Sequence, residues 1–173
     1  MCRSLAEEPL KFHLLTHKKE FKRPSNTGAV VVQALGSADA RQVLWERVSP
    51  DQELLSHIAS GKALLVYPEF LVSEERICHN FKGIEHMILL DGTWQEARKM
   101  YNRSPYLKNM KIFSIRSDKK SEYNIRRNQK DGGFCTAECV IEVLKIQGEV
   151  VKAASVTSAF KDLMNRMVSR VIP

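Results

Sequence analysis

Four short runs that are apolar at almost every position limit what this chain can fold into. They are LKFHLL at residues 10–15, KALLVY at 62–67, HMILL at 86–90 and KIFSI at 111–115. A strand with one wet face alternates polar and apolar residues, whereas an unbroken apolar run needs cover on both faces. That is the mark of a parallel sheet packed between helices. Helix signals fill the intervals. A polar turn after the first run precedes a helix through 29–35, and a weaker strand follows at 42–47. Ser49, Pro50 and Gln52 offer an N-cap, a proline for the first helical position and a capping-box partner, for a helix that runs to Ser60 and stops at Gly61. Thr93 and Glu96 have capping-box spacing, and Trp94, Ala97 and Tyr101 share one helical stripe. Thr136 is expected to cap a helix whose Val140, Val143 and Leu144 face inward and which stops at Gly148. Val156, Phe160, Leu163, Met164, Met167 and Val171 recur at helical spacing to the end, with the methionines read as core filling. The fold class that follows is α/β, a single domain around a mostly parallel sheet, and 173 residues suffice to bury a sizeable core.

Composition excludes several classes. Hydrophobic residues make up 43% and charged residues 27%, the balance of a globular protein. No run is long enough to span a bilayer, and residues 1–10 hold no apolar signal core, so the expected compartment is the cytoplasm and no membrane partner is expected. Cys2, Cys78, Cys135 and Cys139 are too scattered for a disulfide framework. Cys135 and Cys139, four apart, read as small apolar side chains on one helical face. A metal pair completed by Cys78 and His79 is the weaker reading. The net charge of +7 is concentrated. Lys108, Lys111, Arg116, Lys119, Lys120, Arg126, Arg127 and Lys130 stand against Asp118 and Glu122, while Lys11, Lys18, Lys19, Lys22 and Arg23 stand against Glu20. Patches of one sign suit a polyanion, because each phosphate contact releases counterions.

A parallel sheet places its binding crevice beyond the carboxyl ends of its strands. The chemically suggestive residues fall there: Tyr67, Pro68 and Glu69 after one strand, Asp91, Gly92, Thr93 and Trp94 after another, Arg116 after a third, and Gly132 to Thr136 at a helix entrance. A Walker A loop, a GxGxxG fingerprint and an HExxH pair are all missing, which leaves nucleotide hydrolysis, dinucleotide use and zincin chemistry unsupported.

The segment LLDGTWQEARKMYNRSPYL, with Asp91-Gly92-Thr93-Trp94, resembles the signature of the DTW-domain family. Two other segments agree with it in order. His17 to Gly28 is similar to the family's His-x-x-Glu…Arg-x-x-Asn-Thr-Gly block, and Cys135-Thr136-Ala137-Glu138 to its late helix start. Leu65-Val66-Tyr67-Pro68 fits its strand and Tyr-Pro turn. The resemblance covers about residues 13–144. It implies a SPOUT-like fold with a trefoil-knot cofactor pocket, and a tRNA-uridine aminocarboxypropyltransferase. Such an enzyme moves the 3-amino-3-carboxypropyl group of S-adenosylmethionine to N3 of a tRNA uridine and releases methylthioadenosine.

On that resemblance Asp91 is expected to act as general base on the N3 proton, or to orient the uracil by accepting it as a hydrogen bond. Asn26, Thr27 and Gly28 are expected to bring a tight turn against the cofactor. Tyr67, Pro68, Leu90 and Thr93 would line its pocket, and Phe134 and Thr136 would close it. Trp94 is placed either on a base or as an anchor of its own helix, the anchor being preferred. Arg23 and Arg116 are candidates for holding the arm's carboxylate, and Lys119, Lys120, Arg126 and Arg127 for gripping tRNA phosphates. The cysteine-rich, zinc-like element that opens many members has no counterpart after Cys2; either this branch lacks the metal or the chain has been shortened, and the expectation is one DTW domain over 1–173 with no metal. The oligomeric state is left open, with a monomer favoured over an oligomer. Three alternatives remain: a SPOUT-type RNA methyltransferase, an rRNA aminocarboxypropyl transferase, and an RNA-binding module without catalysis.

Overall fold

The computed structural model describes residues 9–116 and 134–171, and its centre is a five-stranded, wholly parallel sheet in the order β2-β1-β4-β3-β5. The strands are β1 (Lys11–Thr16), β2 (Ala40–Leu44), β3 (Ala63–Val66), β4 (His86–Asp91) and β5 (Ile112–Phe113). The apolar runs at 10–15, 62–67 and 86–90 are the three interior strands, as continuous hydrophobicity requires. β4 is central, in register with β1 from Lys11↔His86 to Thr16↔Asp91 and with β3 from Ala63↔His86 to Val66↔Leu89.

Among the described residues six α-helices cover both faces: α1 (Thr27–Leu35), α2 (Gln52–Ala59), α3 (Trp94–Asn102), α4 (Pro105–Lys108), α5 (Thr136–Gln147) and α6 (Val150–Val171). Because side chains alternate across a strand, Phe12, Leu14, Met87 and Leu89 point to one face. They pack with Val30 and Val31 of α1, Val140, Val143 and Leu144 of α5, and Val156, Phe160 and Leu163 of α6. Met164 and Met167 lie partly buried against this core, as gap fillers. Leu15, Leu65, Ile88 and Ile112 point the other way and meet Leu54 of α2, Met100 and Tyr101 of α3, and Leu107 of α4. No helix among the described residues is long and apolar enough to cross a membrane.

The differences from the sequence expectations sit at element ends. Strand β2 spans Ala40–Leu44 rather than 42–47, because its register with β1 begins at Phe12↔Ala40 and ends at Thr16↔Leu44, with a last bond from the Trp45 N–H to the Thr16 carbonyl at 2.9 Å. Helix α2 is capped by Asp51, not Ser49: the Asp51 carboxylate accepts the Leu54 N–H at 2.8 Å and an Arg41 bond at 3.2 Å. Pro50 therefore precedes the cap instead of opening the helix. Strand β5 keeps only Ile112–Phe113 of the expected five residues. As an edge strand it pairs with β3 at Leu65 and Val66 alone, and Ser114 already turns out to accept the Glu69 N–H. The expected trefoil knot depends on the path between β5 and α5, and residues 117–133 lie outside the described residues.

Gly148 ends α5 at φ +83°, its N–H returned to the carbonyls of Leu144 and Lys145. A side chain there is strained by the left-handed backbone, so Gly148→Ala is expected to cost about 1 kcal/mol in urea unfolding, and Gly148→Asn less. Equal stability of the two variants and the parent would show that this cap holds nothing.

Candidate functional site

The carboxyl ends of β1 and β4 carry polar residues where hydrophobic ones would complete the core, and those residues converge on one carboxylate. Asp91, the last residue of β4, is 2% exposed. Its Oδ2 lies 3.0 Å from the Thr16 hydroxyl, whose single hydrogen is shared with the Leu14 carbonyl at 2.9 Å. The Asn26 amide donates to both Asp91 oxygens at 2.9 and 3.1 Å, Gln42 donates to Oδ2 at 3.3 Å, and the Thr136 hydroxyl donates to Oδ1 at 2.9 Å. One side chain thereby ties together β1, β2, β4 and the amino ends of α1 and α5. Burial pushes the Asp91 carboxyl above the usual carboxylate range, against the pull of the Asn26, Thr136 and Thr16 hydrogen bonds.

The helix starts are locked to each other as well. Asn26 caps α1 by accepting the Ala29 N–H at 2.8 Å. Thr27 accepts the Ala137 N–H of α5 at 3.2 Å, so a donor at one helix start is satisfied from another. Thr93 and Glu96 form the expected capping box of α3. At α5 the cap position belongs to Cys135, not Thr136: Glu138 accepts the Cys135 N–H at 3.1 Å, while the Thr136 hydroxyl is given to Asp91. Gly28 has no side chain because Asp91 occupies the space. A Cβ there would stand 2.3 Å from Asp91 Oδ2.

Beside this hub lies a charged cluster. Arg23 forms a two-pronged ion pair with Glu96 at 2.6 and 3.1 Å and also binds the buried Glu20. Glu20 in turn accepts from Asn26 at 2.8 Å, and His17 Nδ1 stands 3.1 Å from Glu96. Burial alone would raise the Glu96 carboxyl, but hydrogen bonds from Arg23 and the Thr93 N–H reverse this and hold it at about 2. Burial lowers His17, with Lys99, Lys19 and Arg23 pushing the same way and Glu96 opposing.

A cavity of about 440 Å³ opens beyond the ends of β3, β4 and β5. Its walls include Tyr67, Pro68, Leu90, Trp94, Arg116, Phe134 and Thr136. Tyr67 is stacked between Trp94 and Tyr101, at ring separations of 6.3 and 4.3 Å, so the cavity has a braced aromatic wall. Arg116 lies at the rim, paired with Glu69 at 2.8 Å. Cys139 also lines the cavity, and burial pushes its thiol up to about 12, so it is held as a thiol.

The structure thus divides the expected site residues into three groups. Tyr67, Pro68, Leu90, Trp94, Arg116, Phe134 and Thr136 meet around the cavity. Asp91, Asn26, Thr27, Gly28, Thr93 and Arg23 form the polar hub beside it and do not line it. Lys119, Lys120, Arg126 and Arg127 lie outside the described residues. Sequence reading placed Glu69 at a strand end without giving it a role and passed over Phe70, Ser114 and Ile115; all four line the cavity from two loops. Only their position after β3 and β5 signalled them.

Comparison with known proteins gives concordant results. The sequence model of the DTW domain family matches residues 1–172. A Drosophila melanogaster protein named tRNA-uridine aminocarboxypropyltransferase 2 is 29% identical over 139 residues, which is 77% of this chain and 54% of that protein. A Macaca fascicularis protein of the same name is 23% identical over 154 residues, 84% of this chain and 52% of that protein. The chain spans about half the length of the curated relatives it matches. No solved structure matches it significantly.

Two outcomes follow from the hub. Gly28→Ala must displace a buried carboxylate and should cost about 1–3 kcal/mol by thermal unfolding, the range for an overfilled core. An unchanged midpoint would show that Asp91 moves freely. Glu96, with its folded pKa below its unfolded one, adds stability that is full above about pH 4.5 and is lost as pH falls toward 2. Glu96→Gln should lack that slope, giving up roughly 2 kcal/mol at neutral pH once the partial exposure of Arg23 is discounted. Parallel stability curves for parent and variant between pH 5 and pH 2 would remove the ion pair from the account.

Proposed function

The chain belongs to the DTW domain family, and on that premise we propose that it transfers the 3-amino-3-carboxypropyl group of S-adenosylmethionine to N3 of a tRNA uridine, releasing methylthioadenosine. The observation that carries this reading is the cavity at the strand ends. Its volume of about 440 Å³ falls within the range of small-molecule sites, and it combines a braced aromatic wall with a few polar groups on its edge. A purine fits the apolar space among Tyr67, Pro68, Leu90 and Phe134. When bound, the cofactor supplies an electrophilic carbon next to a thioether leaving group.

The chain's own residues have two tasks. The first is to hold the reacting groups in line, which matters more than acid catalysis when the leaving group departs neutral. Tyr67 and Trp94 form the rigid wall for this, and Arg116 at the rim can exchange Glu69 for a carboxylate of the transferred arm. Arg23, with both Glu20 and Glu96 on its guanidinium, acts as a brace of the hub. The second task is to remove the N3 proton. Asp91 does not line the cavity, but Thr136 does and donates its hydroxyl to Asp91 Oδ1. In our reading Thr136 Oγ1 takes the N3 proton as its own hydrogen passes to Asp91, whose carboxyl is raised by burial toward holding it. Asp91 therefore works through Thr136, as a positioning residue and proton store.

The tRNA would meet the exposed Lys18, Lys19 and Lys22, the exposed Arg98 and Lys99 of α3 with Arg103 just after it, and the segment holding Lys119, Lys120, Arg126 and Arg127. These grip phosphates and leave the choice of uridine to tRNA shape and a splayed-out base.

Mass spectrometry of tRNA nucleosides, with cofactor labelled separately in its methyl and its aminobutyrate carbons, tests the reaction. Aminobutyrate label should enter a uridine. Label from the methyl group alone would make the protein a methyltransferase instead. Thr136→Val and Asp91→Asn should each lower turnover about a hundredfold with tRNA affinity within a few-fold, while Thr136→Ser keeps most activity. Normal modification by Thr136→Val would overturn the relay.

A further inference from the structure

At the opposite end of β4 from the cavity, three of the chain's five histidines come together. His13 lies on β1, His86 opens β4 and His57 is on α2. One ring nitrogen from each lies within 4.8 Å of the others, although His13 and His86 are 73 residues apart in sequence. His13 Nε2 and His86 Nδ1 are 2.9 Å apart, and the rings of His57 and His86 stack at 3.8 Å. His13 and His86 are buried and His57 is half-buried, so the cluster has one open side.

We propose that His13, His57 and His86 bind one divalent transition-metal ion of the imidazole-preferring kind, such as zinc or cobalt. In a tetrahedral site two nitrogens about 2.1 Å from a common ion stand roughly 3.4 Å apart, so the 2.9 Å between His13 and His86 has to open by only about half an ångström to admit one. Ligating histidines characteristically have a carboxylate behind them. Glu53 stands 3.5 Å from His57 Nε2, and Glu85 stands 4.0 Å from His86 Nε2.

One hydrogen must move. Arg41 Nε donates to His13 Nδ1 at 2.9 Å, which leaves the His13 proton on Nε2, between the two rings. The ion takes the place of that hydrogen. The proton reappears on Nδ1, and Arg41 Nε turns off while its other nitrogens keep Asp51 and Glu53 at 3.2 and 3.4 Å. Three histidines leave a further coordination position for water on the half-exposed side of His57. The consequence is mechanical. Leu54 is the one fully buried residue of α2, and the ion would staple that helix to β1 and β4.

The test uses the full chain, freed of metal by a chelator and titrated with cobalt alone and zinc alone. Cobalt should bind one ion per chain with a visible ligand-field band, and either metal should raise the thermal midpoint. His57→Ala, at a half-exposed position that should fold normally, should weaken binding about a hundredfold and abolish the midpoint shift, while Glu53→Gln weakens it about tenfold. Equal affinity in parent and His57→Ala, a near-ultraviolet thiolate band that places cobalt on cysteine, or no binding at micromolar metal would each overturn the site. Because none of the three histidines lines the cavity, its failure leaves the transferase reading untouched, and the converse holds.

Discussion

Burying a carboxylate in the middle of a protein is unfavourable unless its oxygens are satisfied, and the carboxyl-terminal side of this sheet is arranged around doing so for Asp91. The donors come from four separate stretches of chain: Thr16, Asn26, Gln42 and Thr136. None of them can be in place until β1, β2, α1 and α5 have all reached the end of β4. The interaction is therefore less a local bond than a condition on assembly, and it fixes where the amino ends of two helices stand relative to the sheet. Gly28 belongs to the same condition, since any side chain there would occupy the space of the carboxylate.

The cavity inherits its shape from that arrangement. Thr136 belongs to both, giving its hydroxyl to Asp91 and a face to the cavity. The aromatic wall is set independently by β3 and α3, through the stack of Trp94, Tyr67 and Tyr101, with Arg76 donating to the Tyr101 hydroxyl at 2.8 Å. Arg23, Glu20, Glu96 and His17 hold α3 to the turn after β1 from the other side. The expected site residues thus divide between a polar hub and the cavity wall, and the segment from Asp91 to Trp94 contributes to both, Asp91 to the first and Trp94 to the second.

The sequence by itself determined the fold class and most of its elements. Unbroken apolar runs at 10–15, 62–67 and 86–90 have no stable place except the interior of a covered parallel sheet, and the capping box at Thr93–Glu96 needs only four consecutive residues. Short-range physics also identified the residues at the strand ends, because a parallel sheet leaves only one end for a crevice. The tertiary structure decided what local spacing cannot contain. It shifted β2 and shortened β5, because register and edge pairing depend on a partner strand. It moved Thr136 from a cap to a partner of Asp91, and paired Arg23 with two carboxylates. It gathered His13, His57 and His86, whose separations match no metal motif. In each case the deciding contact joins residues distant in the chain, and a hydrogen bond or ion pair of that kind comes into existence only when the sheet brings them within reach.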